Sequence, residues 1–145
     1  MSPKILSVLA FLVLLAVLVY LFYVGQIFGN GPVTIGLQVA AFLLMVWARI
    51  TFGSRSFHAA ANPTAGGLVT TGPYRYVRHP IYAAILLFFG AAIAAYPSWT
   101  NAMLGLVVFG ALLVRMLSEE KLVTAQYPEY AEYARTTKRV LPGAF

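Results

Sequence analysis

From Ile5 to Val24 the chain runs for 20 residues without a charge, about the length an α-helix needs to cross the ~30 Å hydrocarbon layer of a bilayer. Three more apolar runs follow: Val33 to Phe52, Pro80 to Tyr96, and Trp99 to Leu117. Soluble domains are nearer half apolar and a quarter charged, whereas here 61% of the 145 residues are hydrophobic and 10% charged. The pattern predicts an all-α fold: a polytopic membrane bundle of four transmembrane helices in a single domain, followed by a helical tail over 118–145. The first run does not read as a signal peptide, although Lys4 precedes it. It is too long, ends in Tyr20, Phe22 and Tyr23, and lacks a small-x-small cleavage site. Those aromatics suit an interfacial belt.

The connections differ sharply. Gly25–Pro32 is an uncharged turn with three glycines and a proline, and Pro97–Thr100 is short and uncharged, so the last two spans form a helical hairpin. The middle loop, from Arg49 and Arg55 to His79, is long and polar and contains Asn62-Pro63 and Gly66-Gly67. Glu119 to Gln126 reads as helical, and Pro128-Glu129 opens a short helix with an acid in its first turn. Eight of the ten lysines and arginines fall at the N-terminus, the middle loop or the C-terminal tail, and Arg49 and Arg115 lie near the run ends that meet the last two of these segments. Four spans put those segments on one side, and the positive-inside rule then places both termini and the tail in the cytoplasm. The net charge of +6 thereby reflects orientation, and no nucleic-acid partner is expected.

Chemistry is expected where polar groups crowd the membrane ends. Gly72-Pro-Tyr-Arg-Tyr-Val-Arg-His-Pro-Ile-Tyr82 sets charge and ring nitrogen at the start of the third run. Pro80 suits the first helical position, where its missing N–H costs nothing. His79 is then the cap, with Tyr82 one turn on. A helix N-terminus attracts anions, and Arg75 and Arg78 add fixed positive charge. The same residues also suit a plainer role, with both arginines on lipid phosphates and Tyr74 and Tyr76 at the interface. Glu119-Glu120 is harder to explain so simply, since helix C-termini favour cations. Arg115, four residues earlier, is placed to pair with Glu119, which leaves the other acid for a ligand.

Absences narrow the reaction. There is no aspartate and no cysteine, and His58 and His79 lack His-x-x-x-His spacing; a catalytic metal is not expected. Gly66-Gly67 is too little for a phosphate loop and reads as a turn.

Arg78-His79-Pro80-Ile81-Tyr82, followed after 36 residues by Glu119-Glu120, resembles the RHPxY…EE signature of the isoprenylcysteine carboxyl methyltransferase family, which shares it with phospholipid methyltransferases. Thr70-Thr-Gly-Pro-Tyr74 before it, and Tyr127-Pro-Glu-Tyr130, Tyr133 and Arg139-Val-Leu-Pro142 after it, agree with the resemblance, which runs from Arg49 to Pro142. A departure is Ala83-Ala84, where many members place a glycine. The resemblance implies a membrane enzyme that uses S-adenosylmethionine at the cytosolic face. It implies that Arg78, His79, Pro80 and Tyr82 line the cofactor pocket and that Glu119 and Glu120 bind ribose hydroxyls or the amino group. Tyr130 and Tyr133 would wall the adenine, or else serve as an interfacial belt, and Leu141-Pro142 would close the pocket. The implied acceptor is an isoprenylcysteine-like carboxylate reaching the site from membrane lipid. Such an acceptor needs a cation rather than a base. Arg115 and Arg49, just inside the ends of their helices, are the candidates to position it, with snorkelling as their plainer role. An amine or phospholipid acceptor, a prenylated partner, a second copy of the chain, and a non-catalytic lipid-binding protein are the remaining expectations.

Overall fold

The computed structural model describes residues 1–53 and 67–145; Arg55, His58, Asn62-Pro63 and Gly66 lie outside them. Among the described residues five α-helices follow in order: α1 (Pro3–Tyr23), α2 (Pro32–Phe52), α3 (Pro80–Ala95), α4 (Trp99–Gln126) and α5 (Tyr130–Thr136), with a 3₁₀ turn at Gly72–Arg75. Among the described residues the only strand-like feature is an isolated parallel bridge between Val77 and Lys138. Helix is what hydrocarbon demands, because only a helix satisfies every backbone N–H and C=O within its own segment.

The helix starts are written locally. Ser2 caps α1, its hydroxyl accepting from the Ile5 amide at 3.3 Å, and proline follows the cap in α1, α2 and α3. Thr34 steadies the start of α2, its hydroxyl accepting from the Gly31 amide at 3.2 Å.

Three of these helices, α1, α2 and α4, are long and apolar enough to cross a membrane. The third expected span is shorter: α3 has 16 residues, roughly 24 Å at 1.5 Å per residue. It is bounded by Pro80 and by Tyr96-Pro97, because the residue before a proline is pushed out of helical geometry. The fourth differs in the opposite sense. α4 continues unbroken for 28 residues to Gln126, so Glu119 and Glu120 stand inside a helix and not at its end. Good helix formers such as Glu120, Lys121, Leu122 and Gln126 carry the turn onward.

α1 packs along α4 and α2 along α3, while α3 and α4 join the two pairs. On α1 the buried residues are Ser7, Ala10, Leu14, Val17 and Leu21, spaced alternately by three and four. That is the seam of left-handed helix pairing, and α4 answers with Val108, Ala111, Leu112, Arg115 and Met116. The α2–α3 pair buries small residues, Ala41 and Ala48 on α2 and Ala84, Ala91 and Ala95 on α3, which let backbones approach closely where lipid offers no hydrophobic drive. The remaining faces expose Phe22, Val33, Phe42, Leu43 and Ile50, as a lipid-facing surface should.

At one end of the bundle the two uncharged connections are clasped by amides. Asn30 Nδ2 donates to the Ala95 carbonyl at 2.6 Å, and Asn101 Nδ2 to Gln26 Oε1 at 2.9 Å. Gln38 Oε1 accepts from the Gly29 amide at 2.8 Å while its Nε2 donates to the Ile27 carbonyl at 2.9 Å. The charged segments gather at the other end, where the amides of Arg78 and His79 donate to the carbonyls of Lys138 and Arg139 at 2.8 and 2.9 Å. Asn101 is 2% exposed, so its loss strands the Gln26 and Tyr96 oxygens. Asn101→Ala is expected to lower stability by about 1 kcal/mol, read as an earlier unfolding midpoint in detergent.

Candidate functional site

The charged end is assembled by one turn. Gly72 has φ +56°, and a Cβ there would lie 2.6 Å from Thr51 Oγ1, so only glycine lets the 3₁₀ turn sit against the end of α2. Tyr74 is thereby buried against Phe52, with ring centroids 5.4 Å apart. Its carbonyl accepts from the Tyr133 hydroxyl at 2.6 Å.

His79 occupies the cap position of α3, but its side chain makes no capping bond. The ring turns instead to Glu120, Nε2 lying 3.1 Å from Oε1. Tyr82, one turn on, faces the same way with ring centroids 5.4 Å apart, and its hydroxyl donates to Glu119 Oε2 at 2.8 Å. The pairing expected between Arg115 and Glu119 is thus supplanted. Arg115, 6% exposed, sends Nη1 to the Ser7 carbonyl of α1 at 2.9 Å. Its guanidinium lies over the rings of Phe11 and Tyr82, 5.4 and 5.7 Å from their centroids, where aromatic faces stabilise a desolvated cation.

The acid bound by arginines is Glu120. Arg78 Nε donates to its Oε1 at 2.8 Å, and Arg139 donates through Nε at 3.1 Å and through Nη2 to Oε2 at 2.9 Å. Arg78 therefore turns into the protein and not toward lipid phosphates, and its Nη1 also reaches the carbonyls of Ala134 and Thr137 at 3.3 and 2.5 Å. A cation there complements the C-terminal end of α5. Arg139 is held protonated above its usual range by this bonding to Glu120. Burial pushes the Tyr133 phenol up to about 12 and those of Tyr74 and Tyr130 higher still. All three tyrosines consequently act as neutral walls and donors at physiological pH.

These groups surround a cavity of about 480 Å³, well within the size range of small-molecule sites. Arg49, Arg78, His79, Pro80, Tyr82, Arg115, Glu119, Tyr130 and Tyr133 all line it. Of the residues singled out in the sequence, Glu120 stands outside the lining, behind His79. Leu141 is 59% exposed and does not close the pocket as expected. Two contributions were not foreseen. Arg139 stood in the sequence only as a flank of the signature. The apolar wall from α1 and α2, including Phe11, Leu15, Leu18, Phe42 and Met45, carried no signal beyond hydrophobicity. The result is a two-toned chamber: hydrocarbon along α1 and α2, with three arginines, an acid, an imidazole and phenols at the charged end. Among the described residues no group of three or more His, Asp or Glu could hold a metal ion.

A family model described as phospholipid methyltransferase matches residues 31–130. Among curated proteins, the cobalt-zinc-cadmium resistance protein CzcN of Cupriavidus metallidurans is 34% identical over 76 residues, covering 52% of this chain and 35% of that protein. The nickel-cobalt-cadmium resistance protein NccN of Alcaligenes xylosoxydans xylosoxydans is likewise 34% identical over 76 residues, 36% of its length. The match thus spans about a third of the length of these relatives. No solved structure matches the chain. The family match takes in α2, the turn before α3, both hairpin helices and the start of α5, and so includes most of the chamber's polar wall. This integral membrane protein, a helix bundle over its described residues, belongs to the phospholipid methyltransferase family.

Proposed function

We propose that the chain is an S-adenosylmethionine-dependent methyltransferase whose acceptor is a lipophilic carboxylate of the isoprenylcysteine type, met at the cytoplasmic side of the membrane. The observation that carries this reading is the single chamber, which joins the signature residues His79, Tyr82 and Glu119 to an apolar wall from α1 and α2. The residues present suit the cofactor. Glu119 offers a carboxylate for hydroxyls or an ammonium group, and the rings of Tyr82, Tyr130 and Tyr133 offer faces to an adenine and to a sulfonium cation.

When bound, S-adenosylmethionine would supply a methyl group activated on sulfonium for transfer to a carboxylate oxygen, the S–C electron pair remaining with sulfur. The protein is left to orient the partners in line and to exclude water. Arg49 and Arg115 line the chamber and supply the fixed positive charge that an acceptor carboxylate needs. The apolar stretch between Phe11 and Leu18 of α1, facing Phe42 and Met45 of α2, suits the lipophilic tail. A second reading takes the family's description at its word, with a phospholipid amine as acceptor. His79 or Glu119 would then receive the proton the amine loses, and the two arginines would work against a cationic headgroup.

Calorimetry in detergent is expected to show saturable one-site binding of S-adenosylhomocysteine, lost or weakened at least about tenfold in His79→Ala and Glu119→Gln. No binding by folded wild-type protein, in detergent and in nanodiscs, removes the methyltransferase reading. Acceptor chemistry is separable. Arg49→Gln is expected to lower kcat/KM for an S-prenylated N-acetylcysteine by about ten- to a hundredfold while leaving S-adenosylhomocysteine affinity unchanged. Turnover of phosphatidylethanolamine with none of the prenylated carboxylate would select the amine reading.

A further inference from the structure

The adjacent glutamates keep different company. Glu119 lines the chamber and takes one donor, the Tyr82 hydroxyl, on Oε2. Glu120 is not part of the chamber lining, and both its oxygens are occupied. Oε1 meets Arg78 Nε, His79 Nε2 and Arg139 Nε, and Oε2 meets Arg139 Nε and Nη2. A carboxylate has about four lone-pair sites, so Glu120 has none to offer a ligand hydroxyl without breaking a charge-assisted bond.

Its partners are instead the fastenings of the C-terminal segment. Arg139 belongs to that segment. Arg78 extends from Glu120 to the carbonyls of Ala134 and Thr137, and the amides of Arg78 and His79 bond to Lys138 and Arg139. The same segment carries Tyr130 and Tyr133 into the chamber lining. Charge at Glu120 thus fixes where two of the chamber's walls stand, from a position that does not touch its contents.

We propose that Glu120, Arg78 and Arg139 form a positioning cluster that holds Tyr130–Arg139 against the chamber, and that of the two glutamates only Glu119 contacts the cofactor. The identity of that ligand rests on the methyl-transfer reading; the fastening of the segment does not.

Two readouts on one set of variants test this. The chain has three lysines, Lys4, Lys121 and Lys138, so a lysine-specific protease in detergent reports the segment at Lys138 and the integrity of α4 at Lys121. Calorimetry with S-adenosylhomocysteine reports the chamber. Glu120→Gln and Arg139→Gln are each expected to speed cleavage at Lys138 about tenfold and to weaken binding about tenfold, with Lys121 cleaved as in wild type. The double variant is expected to be no worse than the poorer single one, because both remove the same bond. Glu119→Gln is expected to lose binding with Lys138 still protected. Weakened binding in Glu120→Gln with wild-type protection at Lys138 would make Glu120 a ligand and overturn the proposal. So would a released segment with undiminished affinity. If Glu120→Gln also opens Lys121, Arg139→Gln decides alone, since its side chain is 28% exposed and its loss disturbs little packing. If even wild type binds no S-adenosylhomocysteine while both variants release Lys138, the cofactor reading fails and the fastening stands.

Discussion

One carboxylate organises the charged end of this protein. Glu120 receives Arg78 and His79 from the start of α3 and Arg139 from the C-terminal segment, and so ties α4 to both. At 14% side-chain exposure it sits where leaving it unpaired would be costly, since a half-buried acid stripped of its partners keeps the desolvation penalty without the compensating bonds. The short parallel bridge at Val77 and Lys138 and the bonds from Arg78 to the carbonyls of Ala134 and Thr137 adjoin that meeting point.

The bundle itself follows a different logic. In lipid there is little hydrophobic gain in bringing apolar helices together, and the structure compensates with what lipid cannot provide. Alanines bring α2 and α3 close. An alternating three-and-four seam joins α1 to α4. Buried amides, Gln38 and Asn101, clasp the far connections. Arg115 is the one buried cation of α4 and serves both purposes, bonding α1 through the Ser7 carbonyl while presenting its guanidinium to the rings of Phe11 and Tyr82.

Much of this was legible in the sequence, and what was not has a physical reason. Apolar runs and flanking prolines located the helices closely, because prolines and the loss of apolarity act on the local chain. His79 and Tyr82 were read as neighbours, one turn apart, and are. Contacts between helices were less readable. Arg115 and Glu119 have the spacing of a helical ion pair, yet the carbonyl of Ser7 and the hydroxyl of Tyr82 take them up, which no count along α4 could reveal. Arg139 lies 19 residues from Glu120, beyond any helical spacing, and only tertiary folding brings it back. The continuation of α4 past Ser118 was read as helix but not as the same helix, because polarity changes there while helical propensity does not. Leu141 was assigned to the pocket on the strength of the signature's flank alone, and it faces outward.

The pairing of helices also sets how the chamber yields. α1 and α2, consecutive in the chain, do not pack along one another; each is held by its partner across the bundle and by the amide clasp at the far end. Parting α1 from α2 therefore breaks no helix seam, whereas parting α3 from α4 would cost the packing that joins the two pairs. The chamber is therefore open to widening on the flank between α1 and α2, while Tyr82 and Phe89 line it from α3, whose contact with α4 joins the two pairs.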